Sequence, residues 1–463
     1  MQLEDTICAL STPQGMGAIA VIRLSGPEAF SILEKTFDPF SERHALPSAA
    51  AYQNVYGRLK EGAQVLDEVM IAVYKNPHSY TGEDLAEISC HGSVYIQEQI
   101  LKLLYKLGAR PADPGEFTLR AFFNGKMDLS QAEAVADLIA SENKAAHHMA
   151  MQQMRGGFSA EIRALREELI NFASMIELEL DFSEEDVEFA NREELYDLLN
   201  RVKRVLTKLL ESFDTGNVLK NGLPVAIVGA PNAGKSTLLN ALLNEERAIV
   251  TEVAGTTRDA IEDELNLEGV KFRFIDTAGI RETDDLVESI GIKKTFEKIA
   301  ESKVVLYLFN AQLYAENPAL IKAEIQALQE KAEDKTLLVL ANKIDLLAEK
   351  EIFKDLESED FLLLSALQKT GLEELKKRLL AQVNLGALYQ NNVIVSNARH
   401  AHALQESLQD IQRVEEGLNS EVSGDFLAMD IREAFKHLGS IIGEVDTDKD
   451  ILGNIFGKFC IGK

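Results

Sequence analysis

Cysteine is scarce in this 463-residue chain: Cys8, Cys90 and Cys460 are its three, and they lie far apart. An odd, scattered set excludes a disulfide framework and offers no metal-ligand spacing, so a reducing compartment is expected. Basic residues are also short, 48 against 75 acidic ones, for a formal net charge of −27. That balance argues against non-specific binding to a phosphate backbone, although a local basic surface can survive on an acidic protein. It predicts a soluble, self-repelling, cytoplasmic protein. No stretch approaches about 18 uncharged apolar residues, so no membrane span is expected. The N-terminus, MQLEDTICALSTPQG, lacks the charged and apolar regions of a signal peptide. Internal repeats and low-complexity tracts are missing too.

What is there is enough apolar content, 46%, to fill the cores of roughly three domains. Residues 1–118 mix short β-like runs (Ile19–Leu24, Val69–Tyr74, Leu85–Ser89) with Gly/Pro turns and a helix pattern near Val94–Leu107. From 119 to 219 the periodicity turns helical. One stripe is Ile162, Leu165, Leu169, Phe172 and Ile176; another is Leu195, Leu198, Leu199, Val202, Leu206, Leu209 and Leu210. Asn221-Gly222-Leu223-Pro224 breaks the helix, and Val225–Val228 reads as a buried strand. Alternating β/α texture to about residue 385 predicts a mostly parallel sheet covered by helices. From 386 the chain leads back to helix, with Leu404, Leu408 and Ile411 as a stripe. The expected organisation is an α+β domain (1–118), a helical domain in two parts (119–219 and 386–463), and an α/β domain inserted between them (220–385).

The inserted segment carries the strongest chemical signal. Gly229-Ala230-Pro231-Asn232-Ala233-Gly234-Lys235-Ser236, followed by Thr237, fits G-x-x-x-x-G-K-[ST] between a strand and a helix. Backbone N–H groups and a helix N-terminus there suit phosphates, with Lys235 reaching the β- and γ-phosphates and Ser236 placed for Mg²⁺. The strand Phe272–Ile275 ends in Asp276-Thr277-Ala278-Gly279, where Asp276 can hold Mg²⁺ through water and Gly279 can sense the γ-phosphate. Between them, Gly255-Thr256-Thr257 offers Thr257 as a second hydroxyl ligand. The strand Leu337–Ala341 delivers Asn342-Lys343-Ile344-Asp345, whose carboxylate can accept two hydrogen bonds from guanine N1 and N2 that adenine cannot donate. Ser365-Ala366-Leu367 suits a last guanine-facing loop. Four ordered motifs at strand ends predict a P-loop, Ras-like GTP-binding domain.

The residue after Gly279 is Ile280, which cannot orient a water as the glutamine of Ras-type domains does. Glu282, Asp284, Asp285 and Glu288 follow, and the local pattern picks none of them.

Taken end to end, the chain resembles the MnmE/TrmE family of bacterial tRNA-uridine-modifying GTPases. The likeness rests on Gly15-x-Gly17 with Arg23-Leu24-Ser25-Gly26, Tyr80-Thr81-Gly82-Glu83-Asp84, Cys90-His91-Gly92, Pro114-Gly115-Glu116-Phe117 with Arg120-Ala121-Phe122, the inserted GTPase, and the terminal Cys460-Ile461-Gly462-Lys463. Ala230 departs from it, standing where arginine is familiar, but backbone and Lys235 do the phosphate cradling. The resemblance implies a folate-binding N-terminal domain, with Arg23, Glu87, Lys126 and Lys463 contacting 5-formyl- or methylene-tetrahydrofolate. It implies a homodimer through the N-terminal domains and a GTPase activated when two G domains meet around K⁺. Asn232 would coordinate that K⁺, wrapped by Thr251, Val253 and Thr256, with Glu252, Ala254 and Gly255 in the same nucleotide-contacting loop. Glu288 would be the water-orienting carboxylate. The family works on tRNA with a flavin-containing partner of the MnmG/GidA type, as a heterotetramer. Together they add an aminomethyl or carboxymethylaminomethyl group at C5 of the wobble uridine.

Two other readings compete. A GTP-dependent ribosome-assembly factor would carry a basic RNA-binding appendage, whereas these flanks are acidic, with Glu184, Glu185, Asp186 and Glu188 clustered. A lipid-anchored switch would rest on the FCIGK ending, but Gly462 and Lys463 fit a prenylation signal poorly. The resemblance makes Cys460 a candidate catalytic thiol, able to attack C6 of uridine and so activate C5. His91 reads as a satisfied loop histidine.

Overall fold

The computed structural model describes residues 4–41, 46, 50–181, 192–246, 263–275, 299–332, 335–347, 351–356, 360–383, 393–420, 422–444, 455, 459 and 462. The chain divides into two compact units: residues 1–140, 150–202 and 406–463, and residues 141–149 and 203–405.

The first unit opens with β1 (Ile7–Leu10), β2 (Ile19–Ser25), α1 (Ala29–Glu34), β3 (Phe37–Pro39), β4 (Gln53–Glu61), β5 (Gln64–Tyr74), β6 (Leu85–His91), α2 (Val94–Lys106) and β7 (Arg110–Pro111). The strands form one sheet in the order β3-β4-β5-β6-β2-β1-β7, antiparallel except where β7 runs parallel to β1. Period-two alternation sends Ile22, Leu24, Ile71, Val73, Ala86 and Ile88 into one core with Ile32, Leu33, Ile100 and Leu104 of α1 and α2. Arg23 and Glu87, on the alternate positions, are direct cross-strand partners.

The β4–β5 hairpin was only partly legible, as Val69–Tyr74. Its alternate positions carry Arg58 and Glu68, cross-strand partners in an exposed ion pair at 3.2 Å. Long-range pairing of β4 with β3 and of β5 with β6, inside the sheet, makes it strand.

Helices follow: α3 (Glu116–Phe123), α4 (Leu129–Ile139), α5 (Lys144–Met154), α6 (Gly157–Asp181) and α7 (Arg192–Asn221). Asp128 caps α4 in a reciprocal box with Gln131. The expected stripes lie on α6 and α7 and are buried throughout, save half-buried Leu210. In the first unit, Gly424–Ile442 packs along α6, burying Leu427, Ile431, Ala434 and Leu438.

α3 carries a buried charge. Arg120 is 0% exposed and donates to Asp5 Oδ1 at 2.5 Å, Glu116 Oε1 at 3.0 Å and Glu83 Oε1 at 3.1 Å. Burial alone would raise the Glu116 carboxyl, but Arg110, the Asp113 N–H and Arg120 together hold it below the usual range.

The second unit is built on β8 (Leu223–Val228), α8 (Lys235–Glu246), β9 (Asp263–Leu267), β10 (Val270–Phe274), β11 (Val304–Asn310), β12 (Thr336–Asn342) and β13 (Phe361–Leu363). The order is β13-β12-β11-β8-β10-β9, parallel except for the β9–β10 hairpin. Glu268 and Gly269 turn that hairpin with φ of 49° and 85°. Both faces of the sheet are covered: Val225, Ile227, Leu306 and Leu308 point into one core, Ala226, Val228, Val305 and Tyr307 into the other. The fold is therefore the doubly wound α/β class expected for the insertion. The parallel strands that follow, β10 and β11, lie on opposite sides of β8, which makes the carboxyl end of β8 a topological switch point. Among the described residues no helix is long and apolar enough to cross a membrane.

Candidate functional site

The loop after β8 is shaped by positions where a side chain would not fit. Gly229 has φ 151°, and a Cβ there would lie 2.0 Å from the Leu308 carbonyl oxygen. Gly234 has φ 100°, and its Cβ would lie 2.3 Å from Asn342 Nδ2. Asn232 takes a left-handed φ of 62°, which asparagine tolerates better than most residues. Lys235, first residue of α8, turns back over the loop and donates to Gly229 O at 2.7 Å and Ala230 O at 3.0 Å. Ser236 and Thr237 continue the first turn of α8, so their N–H groups belong to the electropositive helix end. The result is a concave run of backbone around a lysine ammonium, chemically suited to phosphate.

Two further segments close on this loop. Asn342 is 2% exposed; its Nδ2 donates to Ala233 O at 2.8 Å and its Oδ1 accepts from the Ala366 N–H at 3.0 Å. Both ends of that amide are therefore spent on backbone, and Asn342 ties three loops together. Lys343 sits at φ 65°, and Asp345 Oδ1 accepts from Ser365 Oγ at 2.6 Å. The Ser365 hydroxyl also accepts from the Gln368 N–H at 3.2 Å. Leu367 is exposed. The structure thus gathers Asn232, Ala233, Gly234, Lys235, Asn342, Asp345, Ser365 and Ala366 at one end of the sheet.

Glu288, Thr251, Glu252, Val253, Ala254, Gly255, Thr256, Thr257, Asp276, Thr277, Ala278, Gly279, Cys460 and Lys463 lie outside the described residues. Among the described residues no cluster of three or more His, Cys, Asp or Glu side chains could hold a metal ion.

A second constellation occupies the first unit. Arg23 donates from Nε and Nη2 to the same oxygen, Glu87 Oε1, at 3.0 and 2.6 Å. The guanidinium carbon lies 5.1 Å from the centre of the Tyr80 ring and 5.5 Å from that of Phe117. Tyr80 Oη pairs with Thr118 Oγ1 at 2.8 Å, and Tyr74 Oη reaches Glu87 Oε2 at 3.5 Å. Burial raises both tyrosine hydroxyls, with Glu87 adding to the effect on Tyr74. Lys126 donates to Pro77 O at 2.9 Å and its stem covers Gly82. Sequence reasoning missed the two rings beside Arg23. Tyr80 and Phe117 stand in motifs already singled out, but no local spacing announces a ring facing a cation.

The glycines of two N-terminal motifs also meet: Gly17 N donates to Gly92 O at 3.0 Å, and a Cβ on Gly92 would lie 2.4 Å from Gly17 O. His91 is tied by Nδ1 to Asp67 Oδ1 at 2.7 Å, so it is satisfied as expected, but it is the last residue of strand β6 and not a loop residue. Cys8 and Cys90 are buried free thiols, pushed up to about 12 and about 11 by desolvation, which keeps them protonated and unreactive. Near the C-terminus, Phe459 packs with Leu119, Leu129 and Ala132, and Gly462 O accepts from Ser11 Oγ at 2.9 Å.

Residues 6–126 match the family described as GTP-binding protein TrmE N-terminus, and residues 129–460 the MnmE helical domain. The tRNA modification GTPase MnmE of Christiangramia forsetii is 58% identical over 476 aligned residues, spanning all of both chains. Its namesakes in Flavobacterium johnsoniae and Flavobacterium psychrophilum are 58% and 56% identical, covering 99% and 100% of each chain respectively.

Proposed function

Because this chain belongs to the MnmE family of tRNA modification GTPases, we propose that it hydrolyses GTP and couples that turnover to modification of the wobble uridine of certain tRNAs. The observation that carries the GTP half is the convergence of the Gly229–Thr237 loop, Asn342, Asp345 and the Ser365–Ala366 turn on one sheet end. In this reading Lys235 and the backbone from Asn232 to Thr237 hold the phosphates. Asp345 accepts from guanine N1 and N2, with Lys343, Ala366 and Leu367 bordering the base. Thr251–Thr257 and Asp276–Gly279 complete the nucleotide's surroundings, and Glu288 orients the attacking water.

Mg²⁺ would be held by Ser236 and Thr257 with Asp276 through water, an oxygen-only donor set that suits a hard cation. K⁺ would be held by Asn232, Thr251, Val253 and Thr256. The two cations offset charge on the phosphates. GTP hydrolysis is accordingly expected to run several-fold or more faster in K⁺ than in Na⁺, and Glu288→Ala to slow it while GTP still binds. Phosphate release measured in both salts checks this; equal rates, or an unaffected variant, count against the assignment.

The first unit supports the other half. Arg23, Glu87, Lys126 and Lys463 would hold 5-formyl- or methylene-tetrahydrofolate, which supplies the one-carbon unit when bound. Arg23 and Glu87 fit such a ligand because their pair is half-enclosed yet leaves a carboxylate oxygen with only a long contact. Cys460 would add as thiolate to C6 of uridine, making C5 nucleophilic. We assign residues 1–118 to folate binding and dimerisation, 119–219 and 386–463 to a helical domain, and 220–385 to the GTPase. The working form is a cytoplasmic homodimer that acts with a flavin-containing partner, in a heterotetramer, to install an aminomethyl or carboxymethylaminomethyl group at C5. Nucleoside mass spectrometry of tRNA from cells lacking the protein is expected to show wobble uridine without its C5 group; fully modified tRNA would refute the proposal.

A further inference from the structure

We propose that Tyr80 is a positioning residue that holds the Arg23 guanidinium in its ligand-ready plane through the face of its ring. The inference rests on reading the Arg23–Glu87 pair as the tetrahydrofolate site and adds to it the group that sets Arg23.

Glu87 alone cannot do this. A carboxylate that grips a guanidinium through both oxygens fixes it in two dimensions. Here Nε and Nη2 converge on the single oxygen Oε1, and a guanidinium held at one point can pivot about it. The missing restraint comes from the two rings 5.1 and 5.5 Å from Arg23 Cζ, within the range where a cation is attracted to an aromatic face. Phe117 is 0% exposed and belongs to the core with Ile7, Ala9 and Ala112, so its place is set by packing. Tyr80 is half-buried, packs against the edge of that same core, and is further fixed by the hydrogen bonds of its loop.

Its segment is anchored at every turn. Tyr80 Oη pairs with Thr118 Oγ1, Ser79 Oγ donates to Glu83 O at 2.5 Å, and Asn124 Nδ2 donates to Thr81 O at 2.7 Å. Ser25 Oγ lies 2.7 Å from Thr81 Oγ1, and the buried Arg120 grips Glu83. Five contacts therefore serve a short loop whose one aromatic ring rests on Arg23. Holding a long, flexible side chain in place before the ligand arrives removes the ordering cost from binding. With Arg23 committed to Glu87 Oε1, Nη1 makes no hydrogen bond to a described residue, and Oε2 keeps only the long contact to Tyr74. A donor and an acceptor are thus presented side by side.

The test uses the full-length chain and calorimetric binding of (6S)-5-formyltetrahydrofolate. Tyr80→Phe keeps the ring and is expected to bind within about twofold of the original protein. Phenylalanines carrying one, two and three fluorines at position 80 weaken the ring's negative face without changing its packing. Affinity should fall stepwise along that series, reaching about five- to thirty-fold at three fluorines, and Tyr80→Met should lose a similar factor. A flat response to fluorination overturns the proposal. So does a Tyr80→Phe loss as large as that of Tyr80→Met, because the hydroxyl would then be the working group. If Arg23→Ala and Glu87→Ala both bind the folate normally, the site reading itself fails, separately from the positioning role.

Discussion

Lys235→Ala is expected to weaken GTP binding by about a hundred- to ten-thousand-fold and to abolish measurable hydrolysis. The ammonium now satisfies itself on Gly229 O and Ala230 O, so it is already held over the hollow of the loop. A phosphate entering there replaces neutral carbonyl acceptors with anionic oxygens, each such ion-to-ion hydrogen bond contributing about 1.5–3 kcal/mol. Losing two of them converts to the stated factor at about 1.4 kcal/mol per decade. Titration with a fluorescent GTP analogue measures it. Lys235→Arg serves as the control, since it keeps the charge but misplaces it, and should recover only part of the affinity. A loss below tenfold in the Ala variant would remove Lys235 from the phosphate site.

Asp345→Asn is expected to reverse base preference, shifting the ratio of GTP to xanthosine triphosphate affinity on the order of a thousand-fold. Asp345 is steered by Ser365 Oγ at 2.6 Å on Oδ1; in the proposed reading its carboxylate receives two N–H groups of guanine. An amide in that position sets N–H against N–H, whereas xanthine offers a carbonyl where guanine has its amine. A site built around a buried polar partner discriminates strongly because a mismatch leaves groups unpaired. Competition binding with both nucleotides reads the ratio directly. Retained guanine preference in the variant would mean that another group recognises the base. Ser365→Ala should weaken both nucleotides together, since it loosens the carboxylate without changing its chemistry.

Much of this was legible beforehand because the signals are local. A glycine-rich loop needs left-handed or crowded backbone at set positions, and Gly229 and Gly234 stand at two of them, at φ 151° and 100°. Helical stripes such as Ile162–Ile176 bury as expected because a 3.6-residue period puts them on one face. The β4–β5 hairpin was less legible because its alternate positions carry charge and are committed to strand by neighbouring strands.

The sequence by itself determined that a G-x-x-x-x-G-K-[ST] loop lies between a strand and a helix, and that the N-terminal motifs come before it and the Asn342–Asp345 and Ser365–Leu367 motifs after it. Spacing within eight or ten residues is enough for that, since backbone geometry there depends on near neighbours. Only the tertiary structure decided that Asn342 spends its amide on Ala233 and Ala366, 109 and 24 residues away. It also decided that Arg23 meets Glu87, 64 residues on, beside the rings of Tyr80 and Phe117. Those contacts follow from sheet register and strand order, which are set jointly by the whole core and by no single stretch of residues.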